Sequence, residues 1–445
     1  MHLRALIAGP LVAGAAARHI PRDLTIRQNT NTSSSTIELR ANVYGLRYEA
    51  PTTIGDETFN LLIDTGSSDV FVIEEDFQCH APSAWSNDLI EIPQALCGYA
   101  DEAYEIYDSD SFERISNESF QVSYAAGMAR GHMAFEDITL GDITVTDQRF
   151  GLVNWSTPMN FDGSGVLGLA YPIMTSAYNG SIDPDSLTPS GTQQPYSPLF
   201  VSMFRRGLVD PYFSLALERL DPDQESGDGG YMVLGGLPPV NTQGPWTTVP
   251  AEFYEAADLR SRNGTRVRSY WATTVDSITY GSSNTWDSSY QAIVDTGAPL
   301  TSVPRSVAEE FNSLFDPPAT WNEIQQAYAV DCDSSAPAFS FRVGGTTFDL
   351  DPADLILHTG QESRGEDLCL SAITPGIEIQ RDPNDASNTT ELYILGVSFL
   401  RPVVSVFDFG ESEMRFAKRE SAAVRVNSHG WMVFAVVAVV VQVIL

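Results

Sequence analysis

The tripeptide Asp-Thr-Gly occurs twice, at Asp64-Thr65-Gly66 and at Asp295-Thr296-Gly297, and each copy directly follows a short apolar run, Leu61-Leu62-Ile63 or Ala292-Ile293-Val294. An apolar run that stops at a glycine-containing turn reads as a strand feeding that turn. A second apolar-glycine segment follows each copy at nearly the same distance. Val166-Leu167-Gly168 places its glycine 104 positions after Asp64, and Ile394-Leu395-Gly396 places its glycine 101 positions after Asp295. Two equivalent halves explain that spacing. The 445 residues accommodate two lobes of roughly 150–200 residues each. Gly235, Gly236, Pro238 and Pro239 interrupt the pattern between them, which sets an N-terminal lobe at 36–240 and a C-terminal lobe at 241–420.

Short runs with β-branched and aromatic residues, such as Phe59 to Ile63, Tyr212 to Leu217, Tyr231 to Leu234 and Val403 to Phe407, alternate with Gly, Pro, Asp and Asn. Few segments carry a long helical period, so the expected class is mainly β. The 58 acidic and 25 basic residues give a net charge of −33, which opposes binding to nucleic acid or to an anionic membrane surface. Much of that self-repulsion relaxes in acidic surroundings, where carboxylates take up protons.

Both ends carry targeting signals. Met1 to Arg4, the apolar Ala5 to Gly14 and the small Ala15-Ala16-Ala17 match an export signal over residues 1–17. A polar leader with Arg18, Arg22 and Arg27 follows over 18–35. At the other end, 421–445 combines the small residues Ser421, Ala422 and Ala423, a polar spacer, and a 15-residue apolar run from Trp431 to Leu445. That order matches the signal for exchange against a GPI lipid; a conventional membrane anchor is the other reading. Asn-X-Ser/Thr acceptors at Asn31, Asn117, Asn154, Asn179, Asn263 and Asn388 fit a glycosylated surface. In an oxidising compartment the order of the four cysteines suggests one disulfide per lobe, Cys79 with Cys97 and Cys332 with Cys369; two other pairings stay open.

An aspartate on a tight turn beside glycine can lie close to a substrate backbone. If the lobes face each other about a twofold axis, the two carboxylates meet, and like charges that close do not both ionise easily. The ionised member then draws a proton from a water between them, while the protonated member donates to an amide oxygen. No metal or cofactor is needed. The six histidines show no zinc-ligand spacing, and no βαβ unit surrounds the literal dinucleotide fingerprint at Gly163-Ser164-Gly165-Val166-Leu167-Gly168.

From about residue 40 to 418 the chain resembles the pepsin-like aspartic proteases. Its segments Phe59 to Asp69 and Ala292 to Ala298 are similar to the family's two active-site segments, and Val122-Ser123-Tyr124-Ala125-Ala126-Gly127 to its hairpin flap. Phe161 to Leu169 and Leu392 to Leu400 are similar to the paired segments that support the active-site turns. The resemblance implies a bilobal fold with the cleft between pseudo-twofold-related β lobes, and an aspartic endopeptidase acting on extended polypeptides at acidic pH. It implies Asp64 and Asp295 as the catalytic pair, Tyr124 with Gly66 and Gly297 against the substrate, and Thr65 and Thr296 as cross-braces. It also implies that Ser67 hydrogen-bonds Asp64; Ala298 has no hydroxyl to do the same, leaving Asp295 the easier to protonate. Two departures stand out. Phe71 replaces the usual Trp and removes its bond to the flap tyrosine, and Ala125 replaces the usual Gly after that tyrosine.

With the lipid signal, the resemblance extends to fungal yapsin-like proteases of the cell surface or wall, which often cut beside basic residues. A monomer is expected. The readings from other classes are a catalytically silent binding or structural protein of the same fold, and a glycosidase with two carboxylates, for which duplicated Asp-Thr-Gly turns are not expected.

Overall fold

The computed structural model describes residues 33–420 apart from 84–88, 100–101, 107–108, 160–162, 183–188, 190, 257–258, 262, 364–365 and 383–384, and apart from the side chains of 363–366 and 380–388. The export signal, the leader up to residue 32, the tail 421–445, the acceptor Asn31, the Phe161-Asp162 pair and the side chain of Asn388 lie outside the described residues. Among the described residues no helix is long and apolar enough to cross a membrane.

The chain is built mainly of strands, as its alternation of β-branched runs and turn residues requires. In the first half, strand Glu57–Asp64 runs antiparallel to Arg47–Ile54 and parallel to Gly165–Gly168, with Leu61 opposite Gly165 and Asp64 opposite Gly168. Strand Val70–Pro82 leaves the first Asp-Thr-Gly turn and passes the other edge of Gly165–Gly168, Val70 opposite Leu167. The second half repeats the arrangement: strand Tyr290–Val294 lies parallel to Ile394–Leu395, with Val294 opposite Leu395. Leu61, Leu62, Ile63, Ala292, Ile293 and Val294 are all buried, which is why both runs are continuously apolar rather than alternating.

The glycines that ended the supporting segments are sites of backbone contact. A Cβ on Gly168 would stand 2.4 Å from the Ser68 carbonyl carbon, and one on Gly396 would stand 2.2 Å from the Leu300 oxygen. Only glycine lets the supporting strand close over the turn.

A shared sheet joins the halves. Strand Ser35–Asn42 pairs with Gly227–Leu234, which pairs with Tyr212–Leu217; that strand pairs in turn with Val403–Asp408, followed by Glu413–Arg419 and Thr242–Pro250. Phe213 and Phe407 stack across the seam at 4.9 Å. Trp271 lies beneath, fully buried, 5.3 Å from Phe407 and 4.8 Å from Tyr171 between ring centroids, and its Nε1 donates to the Leu169 oxygen at 3.0 Å. Both expected disulfides are formed, Cys79–Cys97 and Cys332–Cys369.

Candidate active site

The two Asp-Thr-Gly turns meet where the halves touch, and their threonines lock them together. The Thr65 N–H donates to Thr296 Oγ1 at 3.0 Å and the Thr296 N–H donates to Thr65 Oγ1 at 3.0 Å. Each hydroxyl in turn donates to a carbonyl of the opposite strand, Thr65 Oγ1 to Val294 at 2.8 Å and Thr296 Oγ1 to Ile63 at 2.8 Å. Both threonines are fully buried, so each bond replaces water that has no access.

This lock presses each glycine against the opposite carboxyl. A Cβ on Gly66 would lie 2.5 Å from Asp295 Oδ2, and one on Gly297 would lie 2.7 Å from Asp64 Oδ1. The Gly66 N–H donates to Asp64 Oδ1 and the Gly297 N–H to Asp295 Oδ1, both at 2.8 Å. Burial pushes the Asp295 carboxyl well above the usual carboxylate range, and the neighbouring charge of Asp64 and a hydrogen bond with it push the same way. The Gly297 N–H and the Arg47 guanidinium oppose that rise without cancelling it. The site therefore favours the protonated form of the Asp295 carboxyl.

Ser67 Oγ makes a short hydrogen bond to Asp64 Oδ2. Tyr124 sits at the tip of a hairpin of strands Glu113–Ser123 and Met128–Leu140, closed by the Tyr124 N–H on the Gly127 oxygen at 2.8 Å. Tyr124 OH donates to Ser67 Oγ at 3.3 Å, so the phenol that loses an indole partner to Phe71 is joined to Asp64 through Ser67. Burial, with the negative charge of Asp64 behind it, raises the Tyr124 hydroxyl well above its ordinary range and keeps it protonated. Ala125 and Ala126 are exposed at the hairpin tip. Ala125 has no positive φ, so the turn does not require glycine there.

Apolar residues line both sides. Leu62, Phe71, Phe120, Val122 and Met159 form one cluster with Tyr124 packed on it, and Tyr254, Ala272 and Ile293 form another with Tyr270 and Leu392. Burial, then Tyr254 and the charges of Asp295 and Asp64, push the Tyr270 hydroxyl up to about 12.

Three residues at this site were not singled out in the sequence. Asp69 is fully buried behind the first turn, accepting from the Ser176 N–H at 2.9 Å and from Tyr196 OH at 2.7 Å; burial raises its carboxyl to about 6. Arg47 donates from Nη1 to the Gly297 oxygen at 3.1 Å. Trp271 underlies the turns. Asp69 belongs to the quoted first segment, but its burial carries no local signal; Arg47 lies 250 positions from its partner.

Of the glycosylation acceptors, Asn117, Asn179 and Asn263 are exposed, whereas Asn154 is half-buried with Nδ2 3.1 Å from His132 Nε2. Cys332, His358 and Cys369 bring potential metal ligands together, but both sulfurs are joined in a disulfide. A concavity of about 970 Å³ lined by Glu74, Arg114, His132 and Trp155 contains neither aspartate.

The family model for the eukaryotic aspartyl proteases matches residues 47–419. The chain belongs to that family. Among eukaryotic aspartyl proteases, a probable aspartic-type endopeptidase of Aspergillus fumigatus is 32% identical over 399 residues, covering 88% of this chain and 83% of that one. Vacuolar protease A of Neurospora crassa is 28% identical, covering 84% and 79% of the two chains. The crystal structure of an aspartic proteinase from Irpex lacteus superimposes with a TM-score of 0.64 at 19% identity over 88% of this chain and 99% of that one. That likeness shows the bilobal fold.

Proposed function

We propose that Asp64 and Asp295 are the catalytic pair of this aspartic endopeptidase. The observation that carries the reading is the reciprocal threonine lock, which holds each carboxyl against the other turn's glycine. Asp64, held by Ser67 and the Gly66 N–H, is the base; Asp295 is the acid. A water between them loses a proton to Asp64 and adds to the peptide carbonyl carbon, while the Asp295 proton passes to the carbonyl oxygen. Collapse of the resulting diol returns one proton to Asp295, and the Asp64 proton goes to the departing amine as the C–N bond breaks. Sharing of one proton by such a pair is established behaviour of aspartic proteases.

Tyr124, Gly66 and Gly297 contact an extended polypeptide, with Thr65, Thr296 and Ser67 as positioning residues. The lobes divide as 36–240 and 241–420, supported by strand Thr242–Pro250 pairing with Glu413–Arg419 of the second half. The disulfides and the terminal signals support passage through the secretory pathway, glycosylation at the six acceptors and GPI attachment at the cell surface or wall. The protein acts as a monomer and, at a net charge of −33, does not bind nucleic acid.

Cleavage of a denatured protein at acid pH tests the pair. Asp64→Asn and Asp295→Asn are each expected to lower the rate by more than about 1,000-fold, because the remaining group cannot supply both proton transfers. Pepstatin is expected to block the native protein. A variant that retained a tenth of the native rate would sink the assignment.

A further inference from the structure

The concavity of about 970 Å³ that contains neither Asp64 nor Asp295 crosses four neighbouring strands of the first half, Glu113–Ser123, Met128–Leu140, Ile143–Ser156 and Val70–Pro82. Sites that enclose a ligand of several rings measure about 300–1,000 Å³. Every second residue from Glu74 to His80 lines it, because alternate residues of a strand share a face. Trp155 fixes the floor. The Arg130 guanidinium carbon lies 4.2 Å from its ring centroid, and the His80 ring stacks on it at 5.1 Å. Three carboxylates, of Glu74, Asp76 and Glu118, share the wall with the guanidinium groups of Arg114 and Arg130. Burial, and then the charge of Arg114, lower the pKa of the His132 ring and favour its neutral form. An anion is repelled by the first set and a cation by the second. A neutral ligand rich in hydroxyls suits both, since each hydroxyl donates one hydrogen bond and accepts two. Among the described residues, His80 Nδ1, Ser119 Oγ and Arg130 Nη2 are buried with no hydrogen-bond partner, whereas buried polar atoms are ordinarily paired.

A ligand of this kind can be tethered to the wall itself. Asn117 lines the concavity, is exposed, and begins the acceptor Asn117-Glu118-Ser119. It takes a left-handed φ of 60° where the pairing register of its strand shifts, and its side chain makes no hydrogen bond among the described residues. Asn154 lines the same concavity but is half-buried, with Nδ2 3.1 Å from His132 Nε2. Of the two acceptors, Asn117 is the one free to carry a sugar into this space.

We propose that this concavity is the seat of an N-linked oligosaccharide carried by Asn117, whose neutral sugar hydroxyls pair with its mixed, charged wall. The proposal rests on the reading that the protein passes through the secretory pathway. There Asn117 Nδ2 displaces a lipid-linked diphosphate from the anomeric carbon of the donor sugar. The C–N bond forms, the C–O bond breaks with its electron pair going to the diphosphate, and Nδ2 gives up one proton. Once attached, the sugar stays at an effective concentration on the order of millimolar, so a weak affinity suffices to seat it. Seated, it bridges the strand that leads to Tyr124 and the strand that leaves the first Asp-Thr-Gly turn.

The folded protein, recovered from a secreting eukaryotic host, is treated with an endoglycosidase that cuts inside the N-linked core, and glycan loss is followed at each site by peptide mass mapping. The reference is Asn263, exposed on a loop beside Gly264, where a Cβ would meet nothing within 4 Å. Because only the unseated population is cut, release from Asn117 is expected to be at least about 10-fold slower than from Asn263, and equally fast after denaturation. Gln78→Trp, at an exposed position of the wall, fills the concavity and should make the two rates alike in the folded protein. If that variant does not fold, hydrogen exchange over residues 113–119 serves instead: protection should be lost in Asn117→Gln and kept in Asn263→Gln. Equal release from Asn117 and Asn263 in the folded native protein overturns the proposal. So does slow release that persists in Gln78→Trp, exchange that Asn117→Gln leaves unchanged, or an unmodified Asn117 in a protein whose Asn263 carries sugar. If no acceptor is modified at all, the secretory reading fails and this proposal falls with it.

Discussion

The two active-site turns have nearly the same backbone and different chemistry. At Asp64 the third residue on is Ser67, which bonds the carboxyl and links it to Tyr124; at Asp295 the equivalent residue is Ala298, whose carbonyl accepts the Val397 N–H and which has no hydroxyl to offer. The fifth residue on is Asp69 in one turn, buried under Ser176 and Tyr196, and Leu300 in the other, packed among apolar neighbours. At the second turn a cation, Arg47, donates to the Gly297 oxygen. The lesson is a division of labour. The shared features, threonine lock and glycine contacts, hold the carboxyls together, and the unshared ones make the surroundings of the two carboxyls unequal.

If the lock is mechanically symmetric, Thr65→Ala and Thr296→Ala should cost the same. Each removes one donor and one acceptor and leaves a buried N–H and a buried carbonyl without partners, so about 2–4 kcal/mol is expected in chemical denaturation. A clear inequality between the two variants would break the equivalence of the turns.

Asp69 provides the next effect. Its folded value of about 6 lies above its unfolded value near 3.8, so between those values the folded state binds more protons and stability falls as pH rises. Asp69→Asn removes that loss: it should gain about 1–3 kcal/mol at pH 7 and nothing below about pH 4, measured as unfolding free energy against pH. A gain of equal size at both pH values would mean that titration of Asp69 is not its origin.

The smallest effect tests the proton's location. In Ala298→Thr a hydroxyl can donate to the Asp295 carboxylate and favour its charged form. Since Asp295 must be protonated to act, its lowered affinity for the proton should move the alkaline limb of the kcat/KM profile down by about 0.5–1 pH unit. An unmoved alkaline limb would detach the limb from Asp295.

The features that could be read from the sequence were those carried by contiguous residues. The duplicated turns, the flap hairpin and the supporting glycines announce themselves because each is a local run whose residues face one another through backbone pairing. Both disulfides could be read as well, from the order of the cysteines. What escaped was set by tertiary packing. Trp271 looks like any strand residue until Tyr171, Phe407 and Phe409 surround it. Asp69 reads as a polar turn residue, and nothing local reveals that it ends in the interior. Phe71 correctly signalled a missing indole donor, but the acceptor that Tyr124 OH reaches, Ser67, depends on how far the hairpin leans, which no residue of the hairpin encodes.

The strand Val403–Asp408 is inserted between Tyr212–Leu217 and Glu413–Arg419. A ribosome that has delivered both aspartates has therefore not yet delivered the seam on which the halves align. Until the final strands emerge, the nascent chain has both Asp-Thr-Gly turns but not the sheet that joins the halves and brings those turns together.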